Sequence, residues 1–247
     1  MSTSRRLFVS RASLAAAGLA LPRAPRVLAA PSFDLVIVGG TVIDGTGAPA
    51  FRADLGLVGD TIAAVGEISA GQGRRAVDAA GLHVAPGFVD IHTHSDPEVL
   101  AYATCDSRVR QGVTTELAGN CGSSAAPLAG HGVDERREEW RREGIQADWT
   151  DVASYLARVE RVGLSANHAL LAGHGTLRSN AVGDVDRPLD GEERRALARA
   201  LEEALDQGAF GLSTGLEYVP GRYTPPGEIV GLARLVARRG GLYASHV

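Results

Sequence analysis

The segment Asp90-Ile91-His92-Thr93-His94 holds the densest chemistry in the sequence. In an extended strand, residues i and i+2 face the same way, so both imidazoles aim at one point with Asp90 on the same side. Imidazole nitrogen suits Zn²⁺, and a carboxylate two residues earlier can order a ligand or its neighbours. Cys121 lies in Gly119-Asn120-Cys121-Gly122, where a thiolate would be a strong zinc ligand. The competing reading for a lone cysteine is a buried free thiol. His246 follows Leu242-Tyr243-Ala244-Ser245 and is a further candidate ligand, with a partly buried structural histidine as its alternative. His174, in Gly173-His174-Gly175-Thr176, is a candidate substrate contact, with a structural loop role as the alternative. His83, His131 and His168 lack such context and read as structural. Cys105 reads as inert, or as a disulfide partner of Cys121 in an exported protein.

These residues need elements that bring them together. Apolar runs at 88–91, 113–117, 169–172, 210–213 and 242–245 read as strands, the first of them buried. Helical patterns lie between them at 151–162, 191–207 and 226–239, the first capped by Thr150/Asp151. Strands alternating with helices predict a parallel sheet of βα units. His92/His94, Cys121, His174 and His246 each fall just past such a run, so all reach the carboxyl-end rim, the functional face of a βα barrel. The charged stretch 130–150 reads as an irregular insertion on that rim. Residues 33–80 differ: short strands separated by Gly/Asp turns predict a small antiparallel sheet or sandwich, too small to stand alone.

Bulk properties narrow the partners. The chain has 247 residues, 45% hydrophobic and 22% charged, with net charge −4. That length suits one ordinary domain, or a small domain and part of a larger one. No basic patch with interleaved aromatics occurs past the first residues, which argues against nucleic acid. Arg136-Arg137 and Arg141-Arg142 alternate with Glu and read as a solvated helix face. Residues 1–30 read as an export signal. Arg5-Arg6 is a twin-arginine pair, the apolar run 12–21 is too short for a bilayer of ~30 Å, and Val27-Leu28-Ala29-Ala30 offers a cleavage site. The expectation is a periplasmic or secreted protein without stable membrane association after cleavage.

Ala85-Pro86-Gly87-Phe88-Val89-Asp90-Ile91-His92-Thr93-His94 resembles the first barrel strand of the amidohydrolase superfamily, and residues 34–45 resemble its amino-terminal sandwich. Gln111-Gly112-Val113-Thr114-Thr115 leading to Cys121, with Gly173-His174-Gly175-Thr176-Leu177-Arg178 and Gly211-Leu212-Ser213-Thr214-Gly215-Leu216, resembles the N-acyl-D-amino-acid deacylases. The resemblance implies an α/β fold, an incomplete (β/α)8 TIM-type metal-dependent hydrolase barrel at 87–247 preceded by a small β-sandwich at 31–86. It implies zinc-dependent hydrolysis of N-acyl-D-amino acids to a carboxylate and a D-amino acid. Another amidase of the superfamily, such as a dipeptidase, or an inactive zinc-binding fragment is the alternative. It further implies that Cys121 and His246 hold a tight zinc, with His92 and His94 forming a looser position beside it. A further histidine ligand and an aspartate proton shuttle are expected beyond Val247, so no catalytic base is assigned within the chain. The 247 residues by themselves are expected to bind zinc weakly and not to turn over.

Overall fold

The computed structural model describes residues 32–246, and the export signal read at 1–30 lies outside the described residues. The chain divides into two compact units, Met1–Pro86 and Gly87–Val247. Among the described residues, no helix is long and apolar enough to cross a membrane.

The first unit contains β1 (Phe33–Val38), β2 (Thr41–Val42), β3 (Phe51–Arg52), β4 (Asp54–Val58), β5 (Thr61–Gly66), β6 (Gly73–Asp78) and β7 (His83–Val84). They form two sheets, ordered β5-β4-β1-β6 and β3-β2-β7. The expected antiparallel pairing holds for β1 with β4 and for β4 with β5. It fails for β1 with β6 and β2 with β7, which are parallel. The β4–β5 hairpin lies between β1 and β6 in the chain and is long enough to return β6 alongside β1 in the same direction. Val36 and Leu55 are buried in the larger sheet, and Asp54 braces its end by accepting the Gly39 and Ile68 N–H groups at 2.7 and 3.0 Å.

The second unit alternates strand and helix. Its strands are β8 (Phe88–Asp90), β9 (Val113–Ala118), β10 (Asn167–Leu170), β11 (Ala172–Gly173), β12 (Gly211–Gly215) and β13 (Leu242–His246). Its α-helices are α1 (Asp106–Val109), α2 (Val133–Arg142), α3 (Val152–Val162), α4 (His174–Val182), α5 (Gly191–Asp206) and α6 (Pro226–Arg238). All the strand pairs are parallel: β8 with β9, β9 with β10, β11 with β12 and β12 with β13. Leu171, between β10 and β11, donates its N–H to the Ala118 carbonyl at 2.9 Å, so the two short strands act as one interrupted strand. Spatial order thus follows chain order, and all the carboxyl ends gather on one side.

Amphipathic helices cover the outside of these strands. Val152, Tyr155 and Val159 of α3, and Leu197, Leu201 and Ala204 of α5, are buried at helical spacing against Leu170, Ala172 and Leu212. Each buried Val or Leu among them contributes about 1.5–3 kcal/mol by leaving water. Asp151 caps α3 by accepting the Ser154 N–H at 2.8 Å, and the Ser154 hydroxyl accepts the Asp151 N–H at 3.1 Å. The stretch expected to be irregular at 130–150 contains α2, which buries no residue of its own. The strand expected to be buried at 88–91 is not: Phe88 and Val89 are 59% and 60% exposed. β8 is an edge strand with β9 as its partner, so one side of it is open.

Candidate metal centre

The alternation begun in β8 continues past its end. His92 and His94 are exposed, whereas Thr93 and Ser95 are buried, Thr93 through its N–H to the Leu117 carbonyl at 3.1 Å. Both imidazoles therefore turn to the rim, with ring centroids 5.4 Å apart. The Asp90 carboxylate accepts the His92 N–H at 3.1 Å, so its ordering role acts on the backbone.

Cys121 arrives from the segment that follows β9. Its φ is +54°, a left-handed conformation that costs a non-glycine residue about 1–2 kcal/mol, and Gly119 and Gly122 flank it at +76° and +77°. A Cβ on Gly119 would lie 2.1 Å from the Leu171 oxygen, and one on Gly122 would lie 2.8 Å from the Gly215 nitrogen. The tight fold of this segment needs glycine at both places. The Ser213 hydroxyl fastens it to β12 by accepting the Gly122 N–H at 3.0 Å and donating to the Gly119 carbonyl.

Ligand atoms of His92, His94 and Cys121 all lie within 4.8 Å of one another. Cys121 Sγ is 3.3 Å from His92 Nε2 and 3.2 Å from His246 Nδ1, so His246 meets the thiol although it stands outside that group of three. His246 Nε2 faces Glu217 Oε2 at 3.2 Å, and its ring packs edge-on against Tyr218, with centroids 5.1 Å apart. Two imidazoles, a thiol and a third imidazole form a nitrogen–sulfur donor set of the kind zinc prefers, so the residues present fit that ion. Burial pushes the Cys121 thiol up, and a bound cation would act against that shift. A cavity of about 450 Å³ opens beside His94 and Cys121, with Arg136, Thr176, Asp184 and Tyr218 among its walls.

The other candidates are placed differently. His174 is fully buried at the start of α4, with Nε2 3.1 Å from Glu228 Oε1, and it does not line the cavity, although Gly175 and Thr176 do. Both cysteines are free thiols, so the disulfide considered between them is not formed; Cys105 is buried. His168 is structural, held between Glu116 at 2.9 Å and the Tyr155 hydroxyl at 2.9 Å. Burial pushes the Glu116 carboxyl up, yet His168, Ser95 and Arg108 together hold it below its ordinary value.

Asp96, Ser213 and Glu217 escaped the sequence reading. Asp96 accepts the Gly119 N–H at 3.0 Å and the Ala125 N–H at 2.6 Å, one at each oxygen. Burial pushes its carboxyl up to about 6, with the two N–H donors opposing. A signal for Asp96 was present, since it continues the spacing His92, His94, Asp96. Glu217 sits in a loop with no periodic pattern to mark it.

Parallel strands bring candidate histidine and cysteine ligands together at their carboxyl ends, and residues 75–228 match the amidohydrolase family. The chain belongs to that family. It is 41% identical over 215 residues to the D-aminoacylase of Alcaligenes xylosoxydans xylosoxydans, covering 87% of this chain and 44% of that protein. A solved D-aminoacylase, described by a binuclear metal center with one-metal activation and second-metal attenuation, matches at TM-score 0.77 and 39% identity, over 86% of this chain and 45% of that one. N-acyl-D-glutamate deacylase from Bordetella bronchiseptica, solved with zinc and a phosphonate inhibitor, matches at TM-score 0.78 and 39% identity, over 87% of this chain and 45% of that one. The chain thus spans less than half the length of these relatives.

Proposed function

We propose that this chain builds the metal-binding side of a zinc-dependent deacylase that hydrolyses N-acyl-D-amino acids to a carboxylate and a D-amino acid. The observation that carries the reading is the convergence of His92, His94, Cys121 and His246 at the carboxyl ends of parallel strands. In this reading β8 to β13 are the first strands of a (β/α)8 barrel and the first unit is a small β-sandwich. Cys121 and His246 hold the tight zinc, and His92 and His94 form a looser position next to it. Zinc bound there supplies Lewis-acid polarisation of a carbonyl and acidification of water.

The chain's own residues prepare that chemistry. Glu217 accepts a hydrogen bond from Nε2–H of His246, which leaves the lone pair of Nδ1 facing Cys121 and open to a metal ion. The glycines around Cys121 let its sulfur approach both imidazoles. The cavity beside His94 and Cys121 receives the substrate, with Arg136 and Tyr218 offering polar contacts at its wall. His174 supports that wall from behind, because it is bonded to Glu228 and begins the helix carrying Thr176. In this reading the proton-shuttling aspartate is not among the residues assigned here.

A screen of N-acetyl-D-amino acids against D-terminal dipeptides and hydantoins tests the substrate class, and inactivity toward every N-acyl-D-amino acid would reject it. Export through the twin-arginine route is a further element of the proposal. Replacing Arg5 and Arg6 by Lys is expected to keep the protein in the cytoplasmic fraction, and unchanged export would exclude the route.

A further inference from the structure

Two segments carry the first three donors; the Asn120 amide bonds across them to the Thr93 carbonyl at 3.4 Å, and the Asp96 carboxylate spans the cysteine itself. His92 and His94 lie on the stretch after β8, and Cys121 lies between Gly119 and Ala125 after β9. Asp96 hangs from the first stretch, two residues past His94, and its two oxygens take the N–H groups of Gly119 and Ala125, on either side of the cysteine. We infer that Asp96 is a positioning residue that sets the distance from the Cys121 thiolate to the two imidazoles, and so the affinity and geometry of the metal site. This rests on the metal reading given above, which does not itself assign Asp96 a role.

Three observations support it. Cys121 is held at φ +54°, from which an unrestrained cysteine would relax to a commoner conformation, so the segment needs a fastening at both ends. Ser213 fastens the same segment to β12, which does not carry the histidines, so it cannot set the histidine-to-cysteine separation. Finally, a carboxylate suits two backbone donors at once because it is acceptor-only when ionised. An asparagine of the same size has one acceptor oxygen, and its NH₂ group would face the second N–H donor to donor.

Cobalt(II) in place of zinc makes the test spectroscopic, because a thiolate bound to Co²⁺ gives an intense near-ultraviolet charge-transfer band. The protein is prepared at its natural length, stripped of metal and titrated with Co²⁺, alongside Asp96→Asn and Asp151→Ala. Asp151 caps α3 and does not belong to the donor set, so its variant reports general destabilisation. The expected result for Asp96→Asn is a weakened or shifted thiolate band and a Co²⁺ dissociation constant raised roughly 10–100-fold, with Asp151→Ala leaving both unchanged. If Asp96→Asn does not fold, Asp96→Glu, which keeps the charge and moves it by one methylene, is read in its place with the same expectation. An Asp96 variant with the parent's band and dissociation constant would overturn the positioning role while leaving the metal reading intact. A parent protein without any thiolate band would overturn the metal reading and this inference with it.

Discussion

At the scale of single residues, the site depends on backbone conformation as much as on ligand type. Cys121 can stand between His92 and His246 because Gly122 beside it adopts φ +77° close to the Gly215 nitrogen. Gly122→Ala is therefore expected to destabilise the fold by about 1–3 kcal/mol and to lower metal content, measured by thermal melting and elemental analysis of the purified protein. Cys121→Ser replaces a soft donor by a weak one and is expected to reduce zinc affinity at least tenfold on the order-of-magnitude scale of ligand changes, without a matching loss of fold. Retention of full zinc by that variant would remove the thiol from the ligand set. The donors were legible in the sequence because each follows an apolar strand, and strand ends on one side of a parallel sheet must converge. Glu217 was not, and Asp96 showed only its spacing after His92 and His94, since their partners at His246, Gly119 and Ala125 are distant in the chain and are reached only once the loops have folded.

At the scale of elements, the strands and the long helices announced themselves through periodicity and caps. Asp151 and Ser154 cap α3 reciprocally, and the Ser154 bonds hold the Asp151 carboxyl below its ordinary range. Asp151→Ala is expected to cost about 1 kcal/mol of stability at neutral pH, read by denaturant unfolding. A depressed folded pKa means the cap's contribution is present above the unfolded value and is lost as pH falls through the lowered folded one. The difference between Asp151→Ala and the parent should therefore shrink under strong acid, and a difference that grew instead would contradict the sign. α2 was legible only as a solvated helix face within a stretch read as irregular, because it buries no residue and so carries no apolar stripe to bound it; Trp140 stacks on the buried Trp149 with centroids 5.5 Å apart, Val133 packs beside it and Arg136 bonds Asn180. Parallel pairing of β1 with β6 was missed for another reason. Strand patterns show which face is buried, whereas direction is decided by the length of the connection.

At the scale of the whole molecule, the family assignment and the arrangement of donors support the proposed deacylase. β8 and β13 stand at sheet edges and present apolar side chains, among them Val89 at 60% and Leu242 at 52% exposure. Chelation of the natural-length protein is expected to abolish deacylation and lower the melting temperature, with zinc restoring both, because a ligand bound only by the folded state stabilises it. Zinc-loaded, natural-length protein assayed on matched N-acetyl-D- and N-acetyl-L-amino acids before and after metal removal puts the deacylase assignment to its sharpest test. Hydrolysis of the D series alone is expected, lost on metal removal and regained with zinc. Fully zinc-loaded protein that leaves every N-acetyl-D-amino acid intact would contradict it.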